Sequence, residues 1–184
     1  MSARAVAMVG IVVTGIATAY VVALLLGMPD PAWGGWGRLV LHLGELAVLV
    51  ALALGGAAGR GPLGRIGVGV AGLGLVLLAV AEPSVVDLLF TIAPNLVGIG
   101  MLLVGVAVLR AGVWTGWQRW LPLAQGVALF AVLTPLIIVS GGPPETLGLV
   151  GLLVWEVLWV LIGVSAAGAW QRGPAPRAAA RAEA

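Results

Sequence analysis

Few residues in this chain combine proton chemistry with a strongly apolar setting, and their spacing is regular. Glu156 stands between Trp155 and Trp159 inside a long apolar run. His42 and Glu45 lie three apart, on one face of a helix. Asp87, Thr91 and Asn95 follow one another at intervals of four, a polar stripe along one side of a helix. A carboxylic acid held away from water can pass a proton, hold a solute, or protonate an alkene or epoxide. Flanking indole faces would stabilise a cation. Glu156 and Glu45 are therefore the candidate proton-carrying or catalytic groups. His42, Glu45, Asp87, Thr91, Asn95, Trp155, Glu156 and Trp159 form the candidate substrate-binding set.

What the chain lacks narrows the chemistry further. All nine basic residues are Arg, so Schiff-base and P-loop lysine mechanisms are excluded. There is no Cys, which removes thiolate zinc sites, iron–sulfur clusters and disulfides. A single His and few carboxylates make a poor metal site, and no cofactor is expected. Gly67, Gly69 and Gly72 spell G-x-G-x-x-G, but no strand precedes them and the run is apolar, so a phosphate has no place there. His42-x-x-Glu45 reverses the Glu-x-x-His of di-iron bundles and occurs once.

The elements that position these residues follow from composition. The chain has 184 residues, 61% hydrophobic and 9% charged, with 29 Gly and a mean hydropathy of +1.17. A soluble domain carries about 25% charged residues and could not hide this much apolar surface. The composition predicts an all-α polytopic membrane protein with six transmembrane helices. The apolar runs fall near 5–27, 38–59, 64–81, 87–109, 120–140 and 146–170, separated by short Gly- and Pro-rich turns. The first run exceeds the h-region of a signal peptide, so it is expected to be a retained helix. The segment 171–184 reads as a low-complexity tail.

Charge predicts the direction of insertion. With Met1 inside, Arg4, Arg60, Arg65, Arg110, Arg119, Arg172, Arg177 and Arg181 all fall inside and Arg38 alone outside. Asp30, Glu82, Asp87 and Glu145 fall outside, and Glu183 inside. The positive-inside rule thus predicts N-in, C-in, in a bacterial cytoplasmic membrane. The same arginines form an inner girdle suited to anionic headgroups rather than to nucleic acid. Trp33 and Trp36 at one interface, and Trp114, Trp117 and Trp120 at the other, read as aromatic belts.

Pro94 and Pro135 each remove an intrahelical hydrogen bond, freeing the carbonyls of Phe90 and Ala131, and predict two kinks at similar depth. Thr134 or Asn95 could satisfy such groups. Five glycines in the third span, Gly64, Gly67, Gly69, Gly72 and Gly74, mark it as the expected central helix of the bundle. Glu156 lies ~16 Å from the outer end of its span, where lipid offers no hydrogen-bond partner. Its side chain is expected to turn inward and meet His42, Glu45 and Asn95. These polar groups could also serve as structural glue between helices. Proton-linked or small-solute transport is the leading expectation, and a chain this small could need a homo-oligomer. The alternatives are an intramembrane enzyme acting on a lipidic or isoprenoid substrate, and an accessory or assembly subunit of a membrane complex. A cavity opening outward to water favours transport; a lateral, apolar opening favours the enzyme.

Overall fold

A computed structural model describes residues 2–84, 87–141 and 145–169. The tail, with Arg172, Arg177, Arg181 and Glu183, lies outside the described residues. All regular structure described is helical, and six apolar segments are long enough to span a membrane: Ala3–Leu25, Gly34–Leu54, Pro62–Glu82, Leu88–Ala111, Gly116–Ser140 and Thr146–Gly168. Each coincides with an expected run to within a few residues. The protein is a six-helix membrane protein.

The first four spans are single helices: α1 (Ala3–Leu25), α2 (Gly34–Leu54), α3 (Pro62–Ser84) and α4 (Asp87–Ala111). Ser2 caps α1, its hydroxyl accepting from the Ala5 N–H at 3.2 Å. Gly27 ends it in the left-handed region at φ 89°, where the Met28 N–H reaches back to the Ala23 carbonyl. Gly56, at φ 68°, stops α2 in the same way, five residues before the apolar run suggests.

The fifth span is compound. A 3-10 turn (Gly116–Trp120) leads into α5 (Leu121–Ala128), a π-helical stretch (Leu129–Leu133) and α6 (Thr134–Ser140). Pro135 cannot donate to the Ala131 carbonyl, and the preceding N–H, that of Thr134, reaches five residues back to Leu129. Pro94 behaves otherwise. Here α4 runs on without interruption, and the Asn95 side-chain amide donates to the Thr91 carbonyl at 2.7 Å. Of the two expected kinks, only the one at Pro135 replaces α-helical geometry. The last span is α7 (Thr146–Ala169).

Packing follows the chain order. α1 lies against α2 and α7, α2 against α3 and α7, α3 against α4, and α4 against α5; α5 and α6 both lean on α7. A ring runs through α2, α3, α4, the fifth span and α7, with α1 outside it in the groove between α2 and α7. The third span is therefore not central. Ile66, Leu73, Val76 and Val80 form an exposed stripe along α3, and a Cβ at Gly69 would meet open space. The glycine count misled because the glycines fall on different faces. Gly67 and Gly74 do work at a contact: added Cβ atoms there would stand 2.8 Å and 2.7 Å from the α4 backbone N–H groups of Val104 and Val97. Gly100 of α4 answers them, its would-be Cβ 2.3 Å from the Ala71 backbone. Small residues thus bring α3 and α4 into backbone contact along one seam.

Candidate functional site

The up-and-down order collects one set of helix ends on each face of the bundle. Arg4, Arg60, Arg65, Arg110 and Arg119 mark one face, here the arginine end. Asp30, Arg38, Glu82 and Glu145 mark the opposite, acidic end. Trp33 and Trp36 are exposed at the acidic end, and Trp117 and Trp120 at the arginine end, as a belt requires. The Arg119 guanidinium lies 5.5 Å from the Trp120 ring centroid. Trp114 corrects the expected pattern: the connector residues on either side of it are exposed, but its own side chain turns into the hydrophobic core.

The acidic half of the ring encloses a cavity of about 630 Å³. Its polar wall is built by the end of α1, the α1–α2 loop, α2 and α3; the opposite wall is mainly Leu and Ile side chains from the fifth span and α7. Along the polar wall the side chains are linked in series. Tyr20 donates its hydroxyl to Asp30, and Arg38 holds Asp30 through Nη1 at 2.8 Å and Glu82 through Nε at 2.6 Å. Beyond Glu82, His42 lies with Nε2 3.7 Å from its carboxylate and Nδ1 2.6 Å from Glu45. The Trp155 indole N–H donates to the other oxygen of Glu45. Burial opposes ionisation of Asp30, but the Tyr20 hydroxyl and the Arg38 guanidinium outweigh it and hold this loop carboxyl below its ordinary range.

Sequence spacing anticipates the depth of this site. Glu45 and Glu156 lie eleven and ten residues into their helices, so both sit ~15–16 Å from the acidic end. Glu45 is fully buried at 0% exposure and stands behind the cavity wall, its two oxygens taken by His42 and Trp155. Glu156 is 4% exposed, lines the cavity, and its Oε2 has no hydrogen-bond partner. A buried carboxyl oxygen without a partner is costly, and such atoms in a cavity wall mark where a ligand or proton can be received.

His42, Thr91, Asn95, Trp155 and Glu156 of the candidate set line this one cavity. Asn95 is there, but its amide is engaged by its own helix rather than by Glu156. Trp159 is fully buried in the core, its ring edge-on to Trp155 with centroids 6.0 Å apart, and is not on the cavity wall. Asp87 opens α4, and its side chain lies outside those described. Gln125, in the third of the fifth span nearest the arginine end, is buried below the cavity, its amide 3.5 Å from the Trp155 carbonyl. Gln125 Oε1 and Trp159 Nε1 are further buried polar atoms without partners, so the series of unsatisfied groups continues from Glu156 toward the arginine end.

Tyr20, Asp30, Arg38 and Glu82 were missed as site residues because each reads as an interfacial or loop group. One signal was present: Arg38 is the single basic residue at the acidic end, with Asp30 eight positions before it. A lone cation amid acids is a natural hub, but only the α2–α3 contact brings Glu82 to it.

Among the described residues no cluster of three or more His, Asp or Glu side chains fits a metal ion. No protein-family model, curated protein or solved structure matches this chain.

Proposed function

We propose that this protein is a proton-linked carrier of a small amphipathic solute, inserted N-in, C-in in a bacterial cytoplasmic membrane. The observation that carries this reading is Glu156: a buried carboxyl with an unpartnered oxygen, on the wall of a cavity large enough for a small organic molecule. The cavity reaches one half of the bundle, while close helix packing at Gly67, Gly100, Gly105 and Gly126 fills the other half. A mid-depth site confined to one half of the bundle is what one state of an alternating-access carrier requires. The π-helical stretch borders this cavity through Leu129 and Leu133, and with Pro135 beyond it supplies a backbone able to change geometry there.

The orientation rests on the arginine distribution. It directs the acidic end outward and leaves the inner arginines facing anionic headgroups. An accessory role is disfavoured by the polar wall, whose groups from Tyr20 to Trp155 satisfy one another within the chain. One feature supports the enzyme alternative: among the described residues α6 packs against α7 rather than along α4, although α4 and α6 both line the cavity. An opening between α4 and α6 would face lipid and admit a lipidic substrate.

The test is proton movement. Purified protein is reconstituted into liposomes holding a pH-sensitive dye, and gradients of tetraphenylphosphonium, choline, benzenesulfonate and glycerol are imposed in turn. A carrier gives proton flux dependent on one of these probes, which Glu156→Gln abolishes without lowering the melting temperature. Vesicles as proton-tight as protein-free ones with every probe overturn the carrier reading.

A further inference from the structure

Charge on the cavity wall points beyond transport in general to the class of solute. Four carboxyl groups stand in or directly behind this wall: Asp30, Glu82, Glu156 and, behind His42, Glu45. Two basic groups face them, and neither is available to a ligand. Arg38 is divided between Asp30 and Glu82, and His42 between Glu45 and Glu82. An anionic solute would meet committed basic groups and surplus acids. A neutral solute would give the Glu156 carboxylate no opposite charge to pair with. Glu156 lines the cavity and has a carboxyl oxygen, the buried Oε2, that no hydrogen bond engages; Trp155, next to it on the same helix, lines the cavity too. The rest of the lining is largely apolar, including Leu129, Leu133, Ile137 and Leu152.

We infer that the cavity takes an amphipathic organic cation, its charge paired with the Glu156 carboxylate and its apolar body against the fifth span and α7. The inference rests on the carrier reading for its context, since binding then supplies the coupling. Protonated Glu156 gives up one proton as one monovalent cation enters, and takes one back as it leaves. No other bond forms or breaks. The charged groups around this exchange are Glu45 and His42 of α2 and, further along the same wall, Arg38 and Glu82. Gln125 of α5 faces the same region without charge. The largely apolar lining favours aromatic or quaternary ammonium and phosphonium ions over strongly hydrated ones.

The experiment measures binding of tetraphenylphosphonium to the purified full-length protein in detergent, by equilibrium dialysis and by quenching of tryptophan fluorescence. Tetraphenylborate, of similar shape and opposite charge, is the counter-probe. Saturable binding of the cation is expected, weakening as pH falls because proton and cation compete for Glu156. In weakly buffered solution the wild-type protein should release about one proton per cation bound. Glu156→Gln should raise Kd about tenfold or more, and Glu156→Asp, which keeps the charge, should stay closer to wild type. Tetraphenylborate bound as tightly as the cation overturns the inference, and so does cation binding with no proton released. The wild-type proton count needs no variant, so a Glu156→Gln protein that fails to fold leaves the test standing. Saturable, proton-releasing binding without uptake into liposomes sinks the carrier and keeps the ligand class. Proton flux driven by benzenesulfonate or glycerol, with no binding of the phosphonium ion, does the reverse.

Discussion

Replacing Arg38 with Met removes the one cation that joins two carboxylates at the acidic end, while keeping the length and apolar stem of the side chain. The two arms are worth different amounts. Asp30 and Arg38 side chains are 40% and 33% exposed, so their contact at 2.8 Å is screened and contributes about 0–1 kcal/mol. Glu82 is 12% exposed and bonded at 2.6 Å. Orphaning a fully buried charge costs about 3–5 kcal/mol, and the partial exposure of Arg38, with His42 nearby, brings this arm to about 2 kcal/mol. The expected loss is thus about 2–3 kcal/mol. At about 2–4 °C per kcal/mol for a chain of this length, the melting temperature in detergent should fall by ~4–12 °C. In a Glu82→Gln background the same replacement should cost much less, because no buried charge is left unpaired. The assay is thermal unfolding followed by tryptophan fluorescence for the wild type, both single variants and the double variant. A fall below about 2 °C, or an equal fall in the Glu82→Gln background, would refute the hub role of Arg38.

Three further outcomes follow from the same contacts. Gly100→Ala should destabilise by about 1–3 kcal/mol, since its Cβ would stand 2.3 Å from the Ala71 backbone, whereas Gly69→Ala, in open space, should be neutral or slightly stabilising; equal melting temperatures would contradict the α3–α4 seam. Asp30→Asn should cost about 0.5–1 kcal/mol near neutral pH. Because the folded state holds this carboxyl below its ordinary value of 3.8, that stability is present above about pH 4 and lost as pH falls further, so wild type and variant should converge in acid; a gap unchanged down to pH 3 would count against the Tyr20–Asp30–Arg38 contacts. Reporter fusions at residues 62 and 115 should report the cytoplasmic side, and a signal from outside at either would reverse the orientation.

The sequence by itself determined the fold class, and the reason is thermodynamic. A chain with 9% charge and six apolar runs has no solution in water, and in lipid each run must close its backbone hydrogen bonds as a helix. Span positions followed to within a few residues, because Gly and Pro interrupt the runs and only the residues near them, such as Gly56, shift an end. The depth of Glu45 and Glu156 was legible too, since a helix converts residue count into distance at a fixed rise. Which faces meet was not legible. Glycines in α3 looked alike in the sequence, yet Gly67 and Gly74 touch α4 while Gly69 meets nothing. Trp155 and Trp159 looked equivalent, yet one reaches Glu45 from the cavity wall and the other is sealed in the core. The polar wall needed tertiary structure most of all. Arg38 and Glu82 are 44 residues apart, and Trp155 and Glu45 are 110 apart. Pairings at such separations depend on how helices rotate and pack, a choice spread over many small contacts that no local pattern encodes.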